Sequence, residues 1–240
     1  MNKIAIIGSG SWGIALGIYL AKKGNNINIW SFDEEEKREI NEERKSRYLP
    51  NIFIPSEINC YNDFEKVIED AEVILHVTPS KFTRQTLIQY KRYVKDNQII
   101  VMCSKGFEAK TLLSLGDIVK EELPNVKYAA LSGPSHAEEV SRGVPTAMVV
   151  ASQHEQVLAE VQKTFMNEKL RIYKSYDLKS AELGGALKNI IALCSGIIAG
   201  MNMGDNTFAA LLTRGLSEAA KLSVKMGGNA QTMYGLTGLR

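Results

Sequence analysis

Runs of branched apolar residues recur along the chain as far as Tyr173, each short enough to make one strand. Lys3–Ile7, Asn26–Trp30, Val73–Thr78, Ile99–Cys103, Lys127–Leu131, Thr146–Ala151 and Arg171–Tyr173 fit that pattern. Between several of them, Trp12–Lys23 and Asp63–Glu69 carry apolar positions at helical spacing. Strands that are apolar throughout are buried on both faces, and strand–helix alternation supplies the helices that cover them. The pattern predicts an α/β fold with a doubly wound, mostly parallel sheet.

Beyond Tyr176 the strand signals stop. Lys179–Met226 reads as helices broken around Asn202–Asp205, which puts a domain boundary near residue 180. Residues 1–180 then form the sheet domain, and residues 181–240 an all-helical part too small to stand as a complete domain. The run Leu183–Met201 is apolar or small almost throughout and approaches the length of a membrane span. It also holds Lys188, Asn189, Ser195 and four glycines, so a helix buried within the protein is expected, with no membrane insertion. Asp33–Arg47 is the opposite case, with seven acidic and five basic residues. Glu34/Arg38 and Glu43/Arg47 stand at i,i+4 spacing there, and a solvated helix face is expected. The prolines of Tyr48-Leu49-Pro50 and Ile54-Pro55 mark a loop after it.

Composition adds limits. An apolar share of 45% and a charged share of 23% are ordinary for a globular chain. The balance of 29 basic against 27 acidic residues leaves no global field to attract nucleic acid, and no such partner is expected. Cys60, Cys103 and Cys194 are isolated from one another and lack metal-ligand spacing. That usage fits a reducing cytoplasm and predicts neither a disulfide framework nor a metal site. The apolar start runs straight into glycines and reads as a first strand, not a signal peptide.

Gly8-Ser9-Gly10-Ser11-Trp12-Gly13 directly follows the first strand and opens a helix. The spacing suits a tight turn at Gly8, approach of a pyrophosphate at Gly10, and close helix–strand packing at Gly13. This Rossmann-like context favours dinucleotide binding over a nucleoside methyl-donor site or a turn without a ligand. The second strand ends in Trp30-Ser31-Phe32-Asp33. An acid there suits the ribose of NAD, and the strand tip carries no arginine for the extra phosphate of NADP, so NAD is preferred. Phe32 suits either adenine stacking or plain packing.

Val77-Thr78-Pro79-Ser80 and Cys103-Ser104-Lys105-Gly106 follow buried strands, so both loops should face the ligand crevice. Lys105 is either an anion-binding group or an exposed loop lysine. Ser132-Gly133-Pro134-Ser135-His136-Ala137 offers backbone N–H groups and a hydroxyl to a small polar ligand. No serine–histidine–acid set accompanies His136, which points to a structural or site-lining role. His76 reads as a satisfied core histidine and His154 as a surface one. Lys188 has two readings of equal standing: an enclosed proton donor beside a substrate-binding Asn189, or a lysine whose stem packs while its head reaches water.

In chain order, GSGSWG, IW followed by acids, YLPN, VTPS, SKG, LSGPSHAEEV with GVPTAMVVAS, ELGGALKNIIAL, GMNMGDNTFAALLTRGLSE and YGLTGL span the chain to about residue 239. In that order they resemble the bacterial NAD(P)-dependent glycerol-3-phosphate dehydrogenases. The resemblance implies reversible reduction of dihydroxyacetone phosphate, a small phosphorylated three-carbon substrate, to sn-glycerol 3-phosphate. It also implies a role in glycerophospholipid synthesis; the sequence does not fix the oligomeric state, a homodimer being one option. It makes Lys188 the catalytic proton donor and acceptor. Lys105, Gly133 and Ser135 fall at the substrate, and Ser11, Trp12, Lys105 and Ala137 near the dinucleotide. Phe32 and Phe82 would line the cofactor site. Members of this family continue into an aspartate that partners the lysine and then a Ser/Thr-Arg-Asn group for the phosphate. The sequence ends at Arg240 before either, so a truncated form that binds dinucleotide but turns over poorly is expected. A non-catalytic dinucleotide-binding protein and another Rossmann dehydrogenase with a helical second domain are the alternatives.

Overall fold

The computed structural model describes residues 2–238; the end of the family-like pattern, Leu239 and Arg240, lies outside the described residues. Eight strands form one sheet: β1 Lys3–Ile7, β2 Asn26–Trp30, β3 Ile58–Tyr61, β4 Val73–His76, β5 Ile99–Met102, β6 Lys127–Ser132, β7 Thr146–Ala151 and β8 Leu170–Ser175. Their order is β3-β2-β1-β4-β5-β6-β7-β8. Only β6 and β7 run antiparallel, Leu131 opposite Val150. The order reverses between β1 and β4, and in such sheets this opens a crevice beyond the carboxyl ends of the strands.

Side chains alternate across the strands to make two apolar layers. Ile6, Ile29, Val101 and Leu131 pack under α1 (Ser11–Lys22) and, further along, α6 (Ala137–Arg142) and α7 (Glu155–Phe165). Ala5, Ile7, Ile74 and Ile100 pack under α3 (Phe64–Ile68), α4 (Thr83–Tyr90) and α5 (Leu115–Glu122). This is the Rossmann-like sheet that the periodicity predicts. The strand that the pattern does not reveal is β3. Ile58 and Cys60 are buried while Asn59 is exposed, so this short edge strand alternates and lacks a continuous apolar run.

The acidic segment departs from expectation. Its α2 (Glu34–Arg38) makes little more than one turn before a wider π turn at Glu39–Glu43 breaks the i,i+4 register. Within α2, Glu34 pairs with Lys37 at 2.9 Å; across the π turn, Arg38 pairs with Glu43 at 2.9 Å and Arg47 with Glu35 and Glu39 at 3.0 Å. It is not a wholly solvated face either, because Glu36 is only 3% exposed.

The helical part comprises α8 (Leu178–Gly200), α9 (Asp205–Lys225) and the short α10 (Ala230–Met233). The expectation that the apolar run is buried along its length needs correction. Leu183, Gly184, Gly185 and Lys188 are buried near β6, yet Ile190, Leu193 and Ile197 are 59%, 68% and 53% exposed. Apolar composition says that a face requires cover, and among the described residues only the first half of α8 receives it. By length and composition α8 could cross a membrane, but its first half is packed within the protein and Lys188 lies near its middle.

Candidate active site

The chain leaves β1 through Gly8, whose φ of +123° suits a residue without Cβ. Its N–H donates to the Trp30 carbonyl at 3.1 Å, tying the turn to β2. A Cβ on Gly13 would stand 2.0 Å from the Gly8 carbonyl oxygen, so glycine there lets α1 begin directly against the turn. Gly10 is the opposite: a Cβ would meet no atom within 4 Å. Gly10 N-caps α1 without a side-chain hydrogen bond, leaving the first helical N–H groups and the positive end of the helix dipole open to an anion.

These groups border a cleft of about 760 Å³, a size suited to a nucleotide-class ligand. Gly8, Gly10, Ser11 and Trp12 form one wall, with Ser31, Phe32, Glu36 and Tyr48 along the β2 side. Val77 to Ser80, Phe82, Ser104 and Lys105 close the other wall. Phe32 is 78% exposed at the rim. The open glycine, uncapped helix start, aromatic rim and volume of this cleft fit a dinucleotide. The loops after β4 and β5 are fastened together, with Ser104 donating to the Thr78 carbonyl at 2.5 Å. A Cβ on Gly106 would lie 2.7 Å from Ser80 Oγ. Arg84 on α4 holds Glu108 at 2.7 Å and Glu122 at 2.9 Å, bracing the segment that carries Lys105. Beneath the loop, His76 bonds Thr78 Oγ1 at 2.7 Å and the Tyr90 hydroxyl at 3.1 Å, and full burial pushes its pKa down to about 3. It is the satisfied core histidine expected.

A second cluster sits at the end of β6. Lys188 is 4% exposed, and its Nζ donates to the Gly133 carbonyl at 2.6 Å. Ser135 Oγ is 3.4 Å from the same oxygen, and Gly133 turns there with φ of +143°. Gly185 seats the helix, since a Cβ would stand 3.1 Å from Ser132 Oγ and 3.4 Å from Lys105 Cγ. Lys105 therefore lies between the cleft and α8. Glu182, also on α8, accepts from the Gly116 N–H at 2.7 Å and from the Tyr128 hydroxyl at 2.5 Å, and burial raises its pKa. Lys179 meets Asp117 at 2.6 Å, a further tie between α8 and α5.

Most sequence-derived candidates fall into these two groups. Gly8, Gly10, Ser11, Trp12, Phe32, Phe82 and Lys105 line the cleft, and Gly13 lies behind it. Lys188, Gly133 and Ser135 meet at β6, while Ala137 is buried at the start of α6. Asn189 is exposed and turned about 100° round α8 from Lys188. His136 and His154 are exposed. Asp33 accepts from the Glu35 N–H at 2.8 Å and so caps α2; the carboxylate bordering the cleft is that of Glu36. Among the described residues, no three His, Cys, Asp or Glu side chains gather as a metal site.

Two family models cover this architecture: the N-terminal part of NAD-dependent glycerol-3-phosphate dehydrogenase matches residues 3–158, and the C-terminal part residues 177–239. The chain belongs to the NAD-dependent glycerol-3-phosphate dehydrogenase family. A glycerol-3-phosphate dehydrogenase (NAD(P)+) of Fusobacterium nucleatum is 48% identical over 243 residues, covering 100% of this chain and 72% of its own length. One from Clostridium perfringens is 42% identical over 240 residues, with the same coverages of 100% and 72%. The crystal structure of glycerol-3-phosphate dehydrogenase from Coxiella burnetii superposes with a TM-score of 0.94 at 36% identity, over 99% of this chain and 73% of that one. A GDP-mannose dehydrogenase, at 12% identity and a TM-score of 0.60, shares the fold alone. The family is one of NAD(P)-dependent oxidoreductases, so the two alternatives raised by the sequence, a non-catalytic binder and a different dehydrogenase, give way to it.

Proposed function

We propose that this family member reversibly reduces dihydroxyacetone phosphate to sn-glycerol 3-phosphate, with NADH preferred to NADPH. The observation that carries the proposal is the enclosed Lys188 ammonium, 4% exposed and 2.6 Å from the Gly133 carbonyl. Lys188 lies on a helix seated against the loop that carries Lys105. A nicotinamide cofactor held in the cleft would supply the hydride for C2 of the ketone. Lys188 Nζ gives its proton to the C2 oxygen as negative charge develops there, and takes it back in the oxidative direction. Lys105 offers a cation to the substrate phosphate, and Gly133 and Ser135 offer polar groups beside it; Asn189, exposed and turned away from Lys188, is left out of this set. Ser11 and Trp12 present helix N–H groups to the pyrophosphate, with Gly8, Gly10 and Gly13 shaping the turn. Phe32 and Phe82 flank the dinucleotide, and Ala137 approaches it from α6.

The product suits glycerophospholipid synthesis, and the free thiols Cys60, Cys103 and Cys194 suit a cytoplasmic location. The apolar residues left exposed on α8 suit a homodimer. The test is NADH oxidation by the full-length protein with dihydroxyacetone phosphate and with unphosphorylated dihydroxyacetone. Turnover should require the phosphate. Equal turnover of both ketones would rule out the substrate class.

A further inference from the structure

Among the groups that line the cleft, Glu36 has no part in the reaction as proposed. It is a carboxylate 3% exposed, and burying one requires that its lone pairs be satisfied. Ser9 Oγ and Ser31 Oγ both donate to its Oε2, the latter at 2.6 Å. The Tyr48 hydroxyl bonds it too, and that contact raises the Tyr48 pKa. Every one of these partners is a neutral hydroxyl. A carboxylate accepts about four hydrogen bonds, so one further hydroxyl can be received from the cleft.

The neighbouring cations are all engaged elsewhere. Lys37 pairs with Glu34, Arg38 and Lys45 with Glu43, and Arg47 with Glu35 and Glu39. Arg44 donates to the Ile58 carbonyl at 2.8 Å. The β2 end of the cleft thus presents an enclosed anion and hydroxyls, flanked by Phe32 and Tyr48. A vicinal diol complements such a surface, because its hydroxyls donate. A phosphate monoester does not, because it brings two negative charges against a carboxylate in a poorly solvated position.

We propose that Glu36 is the residue that selects NADH over NADPH, its carboxylate receiving the adenosine ribose 2′-hydroxyl and repelling a 2′-phosphate. The proposal rests on the reading of the cleft as the dinucleotide site. It moves the selecting acid from Asp33, which the helix cap consumes, to a position on α2.

The test is direct binding, by fluorescence titration of the full-length protein with NADH and NADPH. A hydrogen bond to a charged group corresponds to roughly tenfold to hundredfold in affinity. Wild type should prefer NADH by at least about tenfold. Glu36→Gln keeps an acceptor oxygen for Ser9 and Ser31 and removes the charge. It should lower the NADH:NADPH preference at least about tenfold, chiefly by tightening NADPH. Equal weakening of both cofactors would make Glu36 merely structural and overturn the proposal. Equal or inverted preference in wild type would overturn it while leaving the dinucleotide site intact. Failure of wild type to bind either cofactor would instead defeat the reading of the cleft. A second measurement is independent of folding in the variant: wild type should bind NADH lacking the ribose 2′-hydroxyl about tenfold more weakly than NADH. An unchanged affinity would also overturn the proposal.

Discussion

Gly13 and Gly10 lie in one turn but should respond to alanine in different ways. At Gly13 the new Cβ would stand 2.0 Å from the Gly8 carbonyl oxygen, while a methyl carbon needs roughly 3.5 Å, so α1 must retreat by more than about 1 Å. The obstacle is backbone held to β2 by the Gly8–Trp30 hydrogen bond of 3.1 Å. It cannot turn aside as a flexible side chain would, which places the cost near the upper end of overpacking, about 3 kcal/mol. Alanine in a helix returns at most about 1 kcal/mol. The net loss of about 2 kcal/mol lowers the melting temperature by roughly 4–8 °C. The retreat also withdraws the N–H groups at the helix start, so NADH affinity falls by about tenfold or more. Gly10→Ala meets no atom within 4 Å and keeps an ordinary φ of −67°. As alanine is a poorer N-cap than glycine, this change should lower the melting temperature by no more than about 2 °C, and it should weaken NADH binding, because its methyl enters the cleft. Thermal unfolding and fluorescence titration of the two variants check both halves. Unchanged melting of Gly13→Ala would refute the packing argument, and full NADH affinity in Gly10→Ala would refute the assignment of the cleft.

Two further predictions concern protons that the fold holds or excludes. Burial lowers the His76 pKa from 6.5 to about 3, so the unfolded chain binds a proton between those values that the folded chain refuses. Stability from this group is complete above about pH 6.5 and is lost as pH falls toward 3; its ring resonances should not titrate between pH 8 and pH 5. The Arg84 guanidinium holds Glu108 down at about 2, so this pair stabilises above pH 4.5 and is lost as pH falls through 2. Arg84→Gln should return Glu108 toward the ordinary carboxylate range in an NMR titration, and no movement would deny the pairing.

Much of this architecture is legible in the sequence because the sheet is buried on both faces. The spans Lys3–Ile7, Asn26–Trp30 and Thr146–Ala151 match their predicted bounds. Gly8, Gly10 and Gly13 were readable because their spacing carries a mechanical requirement, which the structure meets with a contact that only glycine tolerates. β3 escaped because an edge strand alternates. Glu36 escaped for a different reason. It stands within a dense run of charge, at the one position of α2 that is buried and meets Ser9 and Ser31. Ser31 is five residues from Glu36 but Ser9 is 27 away, and neither serine marks Glu36 as the acid to be enclosed. For Lys188, the apolar surroundings marked the position as unusual, but the Gly133 carbonyl that receives its ammonium lies 55 residues away.

The central claim is that Lys188 moves the proton, and Lys188→Met in the full-length protein tests it most directly. Methionine preserves the packed stem and removes only Nζ, so fold and cofactor site should stay intact. The ratio kcat/KM for dihydroxyacetone phosphate should fall by about 10²–10⁴-fold, with NADH affinity unchanged within about twofold. Turnover within about tenfold of wild type would contradict the account.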